Sequence, residues 1–157
     1  GPTGDTARFL HDTFRDRGDG SVDDATLRGI ARAAVEELIS AGERVPGLGH
    51  PIHRDEDPRV PRLYELAEGE GLLGPHMRLL RFVAEAHTEI RGRRLVINGA
   101  GAGGALLLDL GVPPGSVRGF VLIARTAGLV AHLAEEAVHP IGLPLWLEVE
   151  ERVQPLE

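Results

Sequence analysis

Apolar residues recur at helical spacing through most of this 157-residue chain, and one stretch interrupts them: VPGLGHPIHRDEDPR, residues 45–59. The helices on either side must be organised around that interruption. Gly47 and Gly49 let the backbone come close to a ligand. Histidine changes charge more readily near neutral pH than other side chains, and His50 supplies one. Arg59 adds a permanent cation whose fork suits a carboxylate or a phosphate. The residues alone allow two readings, a binding site for an acidic small molecule or a helix-joining loop with solvated charges.

The flanking segments read as an all-α domain of six or so helices. Phe9, Leu10 and Phe14 share a face between Thr6 and Arg17, and that segment stops at the glycine-rich Arg17–Ser21. Asp23 or Asp24 can cap a second helix whose stripe is Leu27, Ile30, Ala31, Ala34, Leu38 and Ile39, ending at Gly42. Asp57-Pro58 signals a third helix, to about Ala67, and Gly74-Pro75 a fourth with Leu79, Leu80, Val83, Ala86 and Ile90 buried. A long apolar segment, Val117 to Ala137, is closed by Pro140, whereas Leu143 to Glu157 has no firm pattern. Leu95 to Ile97 is the one ambiguous strand.

Composition removes several functions. No cysteine is present, so disulfides, a thiol nucleophile and cysteine-ligated metals are excluded. All 17 basic residues are arginine, which excludes a Schiff-base or P-loop lysine. A net charge of −7 argues against a nucleic-acid partner. His11, His76, His87 and His132 show no metal-ligand spacing and are expected on the surface or satisfied in the core, with no metal bound. No apolar run is read as long enough to span a membrane and no signal peptide is visible, so the expectation is a cytoplasmic protein with no membrane partner.

Gly99, Gly101 and Gly104 spell G-x-G-x-x-G after Leu95-Val96-Ile97, the fingerprint of a dinucleotide site. The repeated strand–helix–strand units that such a site needs are missing, as is the acidic residue about 20 positions on. Close helix packing or close approach of a ligand is the better account of these glycines.

Three ordered blocks give the chain a resemblance to the citrate synthase superfamily, including its citryl-CoA lyase-like members. They are PGLGH followed by DPR, the Asn98 segment in place of the family's N-V-D, and IARTAGLVAHLAEE at residues 123–136. The resemblance implies a citrate synthase-like small domain over 45–140, with 1–44 adjoining or belonging to the large domain and 141–157 a C-terminal tail. It implies an acyl-CoA-dependent carbon–carbon lyase or synthase acting on a carboxylic acid, with a coenzyme A thioester as co-substrate and no bound cofactor. His50 would polarise the acid's reacting carbonyl or hydroxyl, and Arg59 and Arg125 would bind its carboxylates. Val45, Pro46, Gly47, Leu48 and Gly49 would hold the adenine of CoA, and Asn98 would touch the pantetheine arm. A homodimer is expected, with the large domain supplied by a missing N-terminal half or a separate chain.

The chain also departs from that pattern. Ala100 stands at the position of the family's base Asp, and alanine cannot accept a proton. Asp109 lies about two and a half turns along the same expected helix, too far to replace it locally. At the C-terminal substrate arginine the chain reads HPIGLPLW, leaving His139 as the only candidate cation. The alternatives are therefore a catalytically inactive CoA-binding or regulatory module and a repurposed enzyme of secondary metabolism.

Overall fold

The computed structural model describes residues 1–15 and 22–153; Arg17–Ser21, expected as the turn after the first helix, lie outside the described residues. The helices are α1 (Pro2–Arg15), α2 (Asp24–Ser40), α3 (Arg59–Gly69), α4 (Pro75–Arg91), α5 (Gly99–Asp109), α6 (Pro114–Val138) and α7 (Gly142–Arg152). The all-α expectation holds: among the described residues no strand forms, and Leu95–Ile97 contributes only an isolated antiparallel bridge between Ile97 and Leu48.

Contacts divide the chain into two compact units, Gly1–Arg118 and Gly119–Glu157. In the first, α2 packs on α4 while α5 packs on α1, α3 and α4. The expected stripes supply its core: Leu27, Ile30 and Ala31 from α2, and Leu79, Leu80 and Val83 from α4. Leu10 and Val117 complete it from α1 and α6. Since α1 and α2 share this core with α4 and α5, the contacts draw no boundary at residues 44/45.

Helix ends follow their local chemistry. Asp23 accepts the Thr26 amide at 2.8 Å and starts α2, and Gly42, at φ +72°, takes the left-handed conformation just past its end. α4 has no such cap on its own segment. Asp109, from the far end of α5, accepts the amides of His76 (2.9 Å) and Met77 (3.0 Å) and meets His76 Nδ1 at 2.8 Å. A Cβ on Gly74 would lie 2.5 Å from the Asp109 carboxyl carbon, so glycine there admits the carboxylate. Asp109 thus has a structural task, tying two helices together inside the protein.

The structure corrects two expectations about α6 and α7. Within the patternless tail, residues 143–152 belong to α7, because Pro144 fits a first helical turn and Glu136 accepts the amides of Ile141 (3.0 Å) and Gly142 (2.8 Å); residues 154–157 lie outside the described residues. Glu136 is therefore a cap, and those two amides hold its carboxyl below the usual range. α6, at 25 residues with a mean hydropathy of 1.4 in its most apolar window, is long and apolar enough to cross a membrane. The earlier reading undervalued its length, because Arg118, Arg125 and His132 punctuate it every seven residues.

Asp109→Ala removes the only side-chain cap of α4 and strands two buried amides. We expect it to cost about 2–4 kcal/mol of stability, measured by urea denaturation. Gly103→Ala, where an added methyl meets nothing within 4 Å, serves as the neutral comparison.

Candidate functional site

The loop that interrupts the helices lies on the first turn of α5. Gly47 at φ +88° and Gly49 at φ +81° hold backbone conformations that L side chains rarely adopt. Gly49 donates its amide to Val96 O (2.7 Å) and Asn98 donates its own to Gly47 O (3.0 Å). The approach is close enough that a Cβ on Gly101 would lie 2.8 Å from both Cα and O of Gly47. Gly104 likewise faces Thr3 O, at 3.0 Å from a built Cβ. The dinucleotide-like glycines are packing glycines.

Asn98 locks this contact. Its Oδ1 accepts from Gly101 N (2.8 Å), capping α5, while its Nδ2 donates to Gly49 O (2.8 Å), fixing the loop. One amide side chain therefore bonds to both partners.

Asp57 makes the second lock, and sequence reasoning missed it by reading the residue only as a helix start. It is fully buried. Arg59 bonds to it through Nε (2.9 Å) and Nη2 (2.7 Å), and the Arg59 amide (3.2 Å) and the Gly99 amide (2.7 Å) add two donors. The Arg59 side chain, then the Gly99 and Arg59 amides, hold the carboxyl far below the usual carboxylate range, against burial that would raise it. The signal in the sequence was an aspartate two residues before the clamp arginine. Arg59 is not exhausted by this pairing. A guanidinium carries five N–H donors, so its Nη1/Nη2 edge remains for a ligand carboxylate, and the side chain is 61% exposed.

His50 follows Gly49 directly, and its Nδ1 accepts the amides of Ile52 (3.1 Å) and His53 (3.0 Å). A nitrogen facing two N–H donors is the unprotonated one, so the neutral ring carries its hydrogen on Nε2. The His53 ring lies over it at 4.4 Å between centroids.

His50 lines a cleft of about 640 Å³ together with Val45, Leu48 and Gly49. The same cleft carries Arg44, Arg54, Arg91, Arg93 and Arg94 against one carboxylate, Glu43. None of the five arginines forms an ion pair among the described residues. His87 sits buried in the wall, where desolvation lowers its pKa and keeps it neutral. Among the described residues no group of three His, Cys, Asp or Glu could hold a metal.

The first unit thus sets the Val45–Gly49 loop and His50 beside Asn98, while Arg59 lies against Gly99, the residue after Asn98, and is not among the residues that line the His50 cleft. Arg125 belongs to the second unit and is exposed on α6. Ala100 is the second residue of α5, after Asn98 and Gly99.

The glycine loop and His50 of this helical unit face a cleft lined by five arginines. The sequence pattern of the citrate synthase C-terminal domain family matches residues 16–142, and the chain belongs to that family. It is similar to the putative citrate synthase 2 of Mycobacterium tuberculosis (strain ATCC 25618 / H37Rv), 32% identical over 120 residues, 73% of this chain and 32% of that protein. ATP-citrate synthase beta chain protein 2 of Arabidopsis thaliana is also 32% identical over 120 residues, covering 65% of this chain and 19% of its own. The solved structure of citryl-CoA lyase from Hydrogenobacter thermophilus superimposes with a TM-score of 0.74 at 30% identity, over 86% of this chain and 48% of that one. The chain therefore spans about a third of the mycobacterial relative and about half of the lyase.

Folded Asp57 binds its proton more weakly than an unfolded aspartate near 3.8. Its network is fully present above about pH 5 and lost as pH falls through the acid range. We expect Asp57→Asn to lower stability at neutral pH by about 1–3 kcal/mol, discounted for the exposed Arg59. The variant should also flatten the acid limb of a urea-midpoint profile. An unchanged acid limb would show that another group controls it.

Proposed function

We propose that this chain is the part of a citrate synthase/citryl-CoA lyase-like enzyme that holds an acyl-CoA thioester and a carboxylic acid while a carbon–carbon bond beside the thioester is made or broken. The single observation that carries the reading is the cleft in which His50 and five unpaired arginines meet the Val45–Gly49 loop. CoA bears a diphosphate and a ribose phosphate, and arginines without internal partners suit those charges. The apolar Val45 and Leu48 suit its adenine. Asn98, already bonded to Gly49 O and Gly101 N, would reach the pantetheine arm through its remaining Nδ2 hydrogen or the second lone pair of Oδ1.

In this reading His50 donates Nε2–H to the acid's reacting oxygen, where charge changes along the reaction. The Ile52 and His53 amides fix that tautomer in advance. Arg59 grips a carboxylate with its free edge while Asp57 prevents it from turning. Ala100 favours a second reading, a module that binds CoA without proton transfer at this position, since a methyl group cannot serve as a base. Repurposed chemistry in secondary metabolism, on a substrate needing no such base, fits the same substitution.

The second unit suggests a partner. Leu122, Ile123, Leu129, Val130, Leu133 and Trp146 are all exposed by about half or more, an apolar surface that monomeric proteins rarely leave open. We propose that a second copy of the chain covers it, giving a homodimer in the cytoplasm. Analytical ultracentrifugation should show a dimer that Leu133→Asp dissociates. A monomer unaffected by the change would point instead to a separate chain carrying the rest of the family's length.

Isothermal titration with CoA tests the central reading. We expect Arg54→Glu and Arg93→Glu each to weaken CoA binding by about tenfold or more, equivalent to one lost charge-assisted hydrogen bond. Ala100→Asp should leave CoA affinity unchanged. The wild type, with no base at this position, should not exchange the α-protons of acetyl-CoA, whereas deuterium exchange there in Ala100→Asp would show that only a base was missing. Equal CoA affinity in wild type and both arginine variants would sink the proposal.

A further inference from the structure

Gly99 opens α5 immediately after Asn98, and the reason for glycine there is not backbone conformation, since Gly99 is absent from the positive-φ glycines. The reason is a neighbour. A Cβ built on Gly99 would lie 2.6 Å from Nε, 2.7 Å from Cζ and 2.9 Å from Nη2 of Arg59. No real Cβ tolerates such distances. Nε and Nη2 are also the atoms through which Arg59 bonds to buried Asp57, whose Oδ2 in turn accepts the Gly99 amide. The guanidinium cannot step aside as a free side chain would, because moving it breaks both bonds to a carboxylate that has no access to water.

We propose that Gly99 is a positioning residue for Arg59 and, through it, a determinant of which carboxylate the protein accepts. The missing side chain lets the guanidinium lie flat on the first turn of α5 with its Nε/Nη2 edge committed to Asp57. Only the Nη1/Nη2 edge then faces outward, and a ligand carboxylate must meet that edge in a fixed plane. The pose follows from the geometry alone; its consequence for the ligand rests on the carboxylate-binding role given to Arg59 above.

Nitrogen-15 NMR of the arginine Nε–H groups reads the pose directly. The wild-type chain should show one Nε–H resonance protected from exchange with water, assigned to Arg59 by its loss in Arg59→Lys. Gly99→Val should lose that protection, and Gly99→Ala should weaken or lose it. Gly103→Ala, with open space around its Cβ, should keep it. Citrate is the probe for the second arm: its affinity should fall by about tenfold in Gly99→Val while CoA affinity and helix content hold. A protected Arg59 resonance in folded Gly99→Val or Gly99→Ala overturns the positioning role. Lost protection with unchanged citrate affinity overturns the link to the ligand. If wild-type protein binds no citrate at all, the carboxylate reading of Arg59 fails, and the resonance still decides the pose.

Discussion

The candidate site depends on a backbone-to-backbone contact between the loop and the first turn of α5. Gly47 and Gly101 touch with no side chain between them, and any atom added on Gly101 would collide with Gly47. Asn98 closes the contact from one side and Asp57 from the other, each bonding to both α5 and the loop or its continuation into α3. Rigid backbone is what allows His50 and Arg59 to be held ready. His50 has its ring hydrogen assigned by two loop amides, and Arg59 has one edge pinned and one edge free. Groups fixed before a ligand arrives need little rearrangement when charge develops, which is how such sites lower barriers or gain selectivity.

Much of the fold could be read from the sequence because it is carried by local periodicity. The stripes Leu27–Ile30–Ala31 and Leu79–Leu80–Val83 are buried as helical spacing requires, and Asp23 and Gly42 bound α2 as their chemistry predicts. What could not be read depended on distant partners. Asp109 caps α4 from another helix, and nothing near Gly74 announces it. Glu136 starts α7 from the end of α6, so residues 143–152 of the tail that looked patternless are helical. Asp57 was visible as a residue but not as a buried hub, because burial of its side chain follows from α3 meeting α5. The stacking of His53 on His50 is likewise a contact the residue pattern does not announce.

The glycines show how a motif can mislead. G-x-G-x-x-G suggested a phosphate-binding turn, yet each of its three glycines answers a different steric demand: Arg59 at Gly99, Gly47 at Gly101 and Thr3 at Gly104. Membership of the citrate synthase C-terminal domain family explains the order of the loop, Asn98 and α6. It does not by itself carry over the family's chemistry. Gly99 and Ala100 change the two residues after Asn98 together, and the structure gives the first of them a role in seating Arg59.

The most direct measurement is a crystal structure of the chain grown with CoA. The account predicts the adenine against Val45–Gly49 and phosphates on the arginine wall that includes Arg54 and Arg93, with the loop and α5 unmoved. CoA bound away from this cleft, or a loop that separates from Gly101 to admit it, would contradict the account.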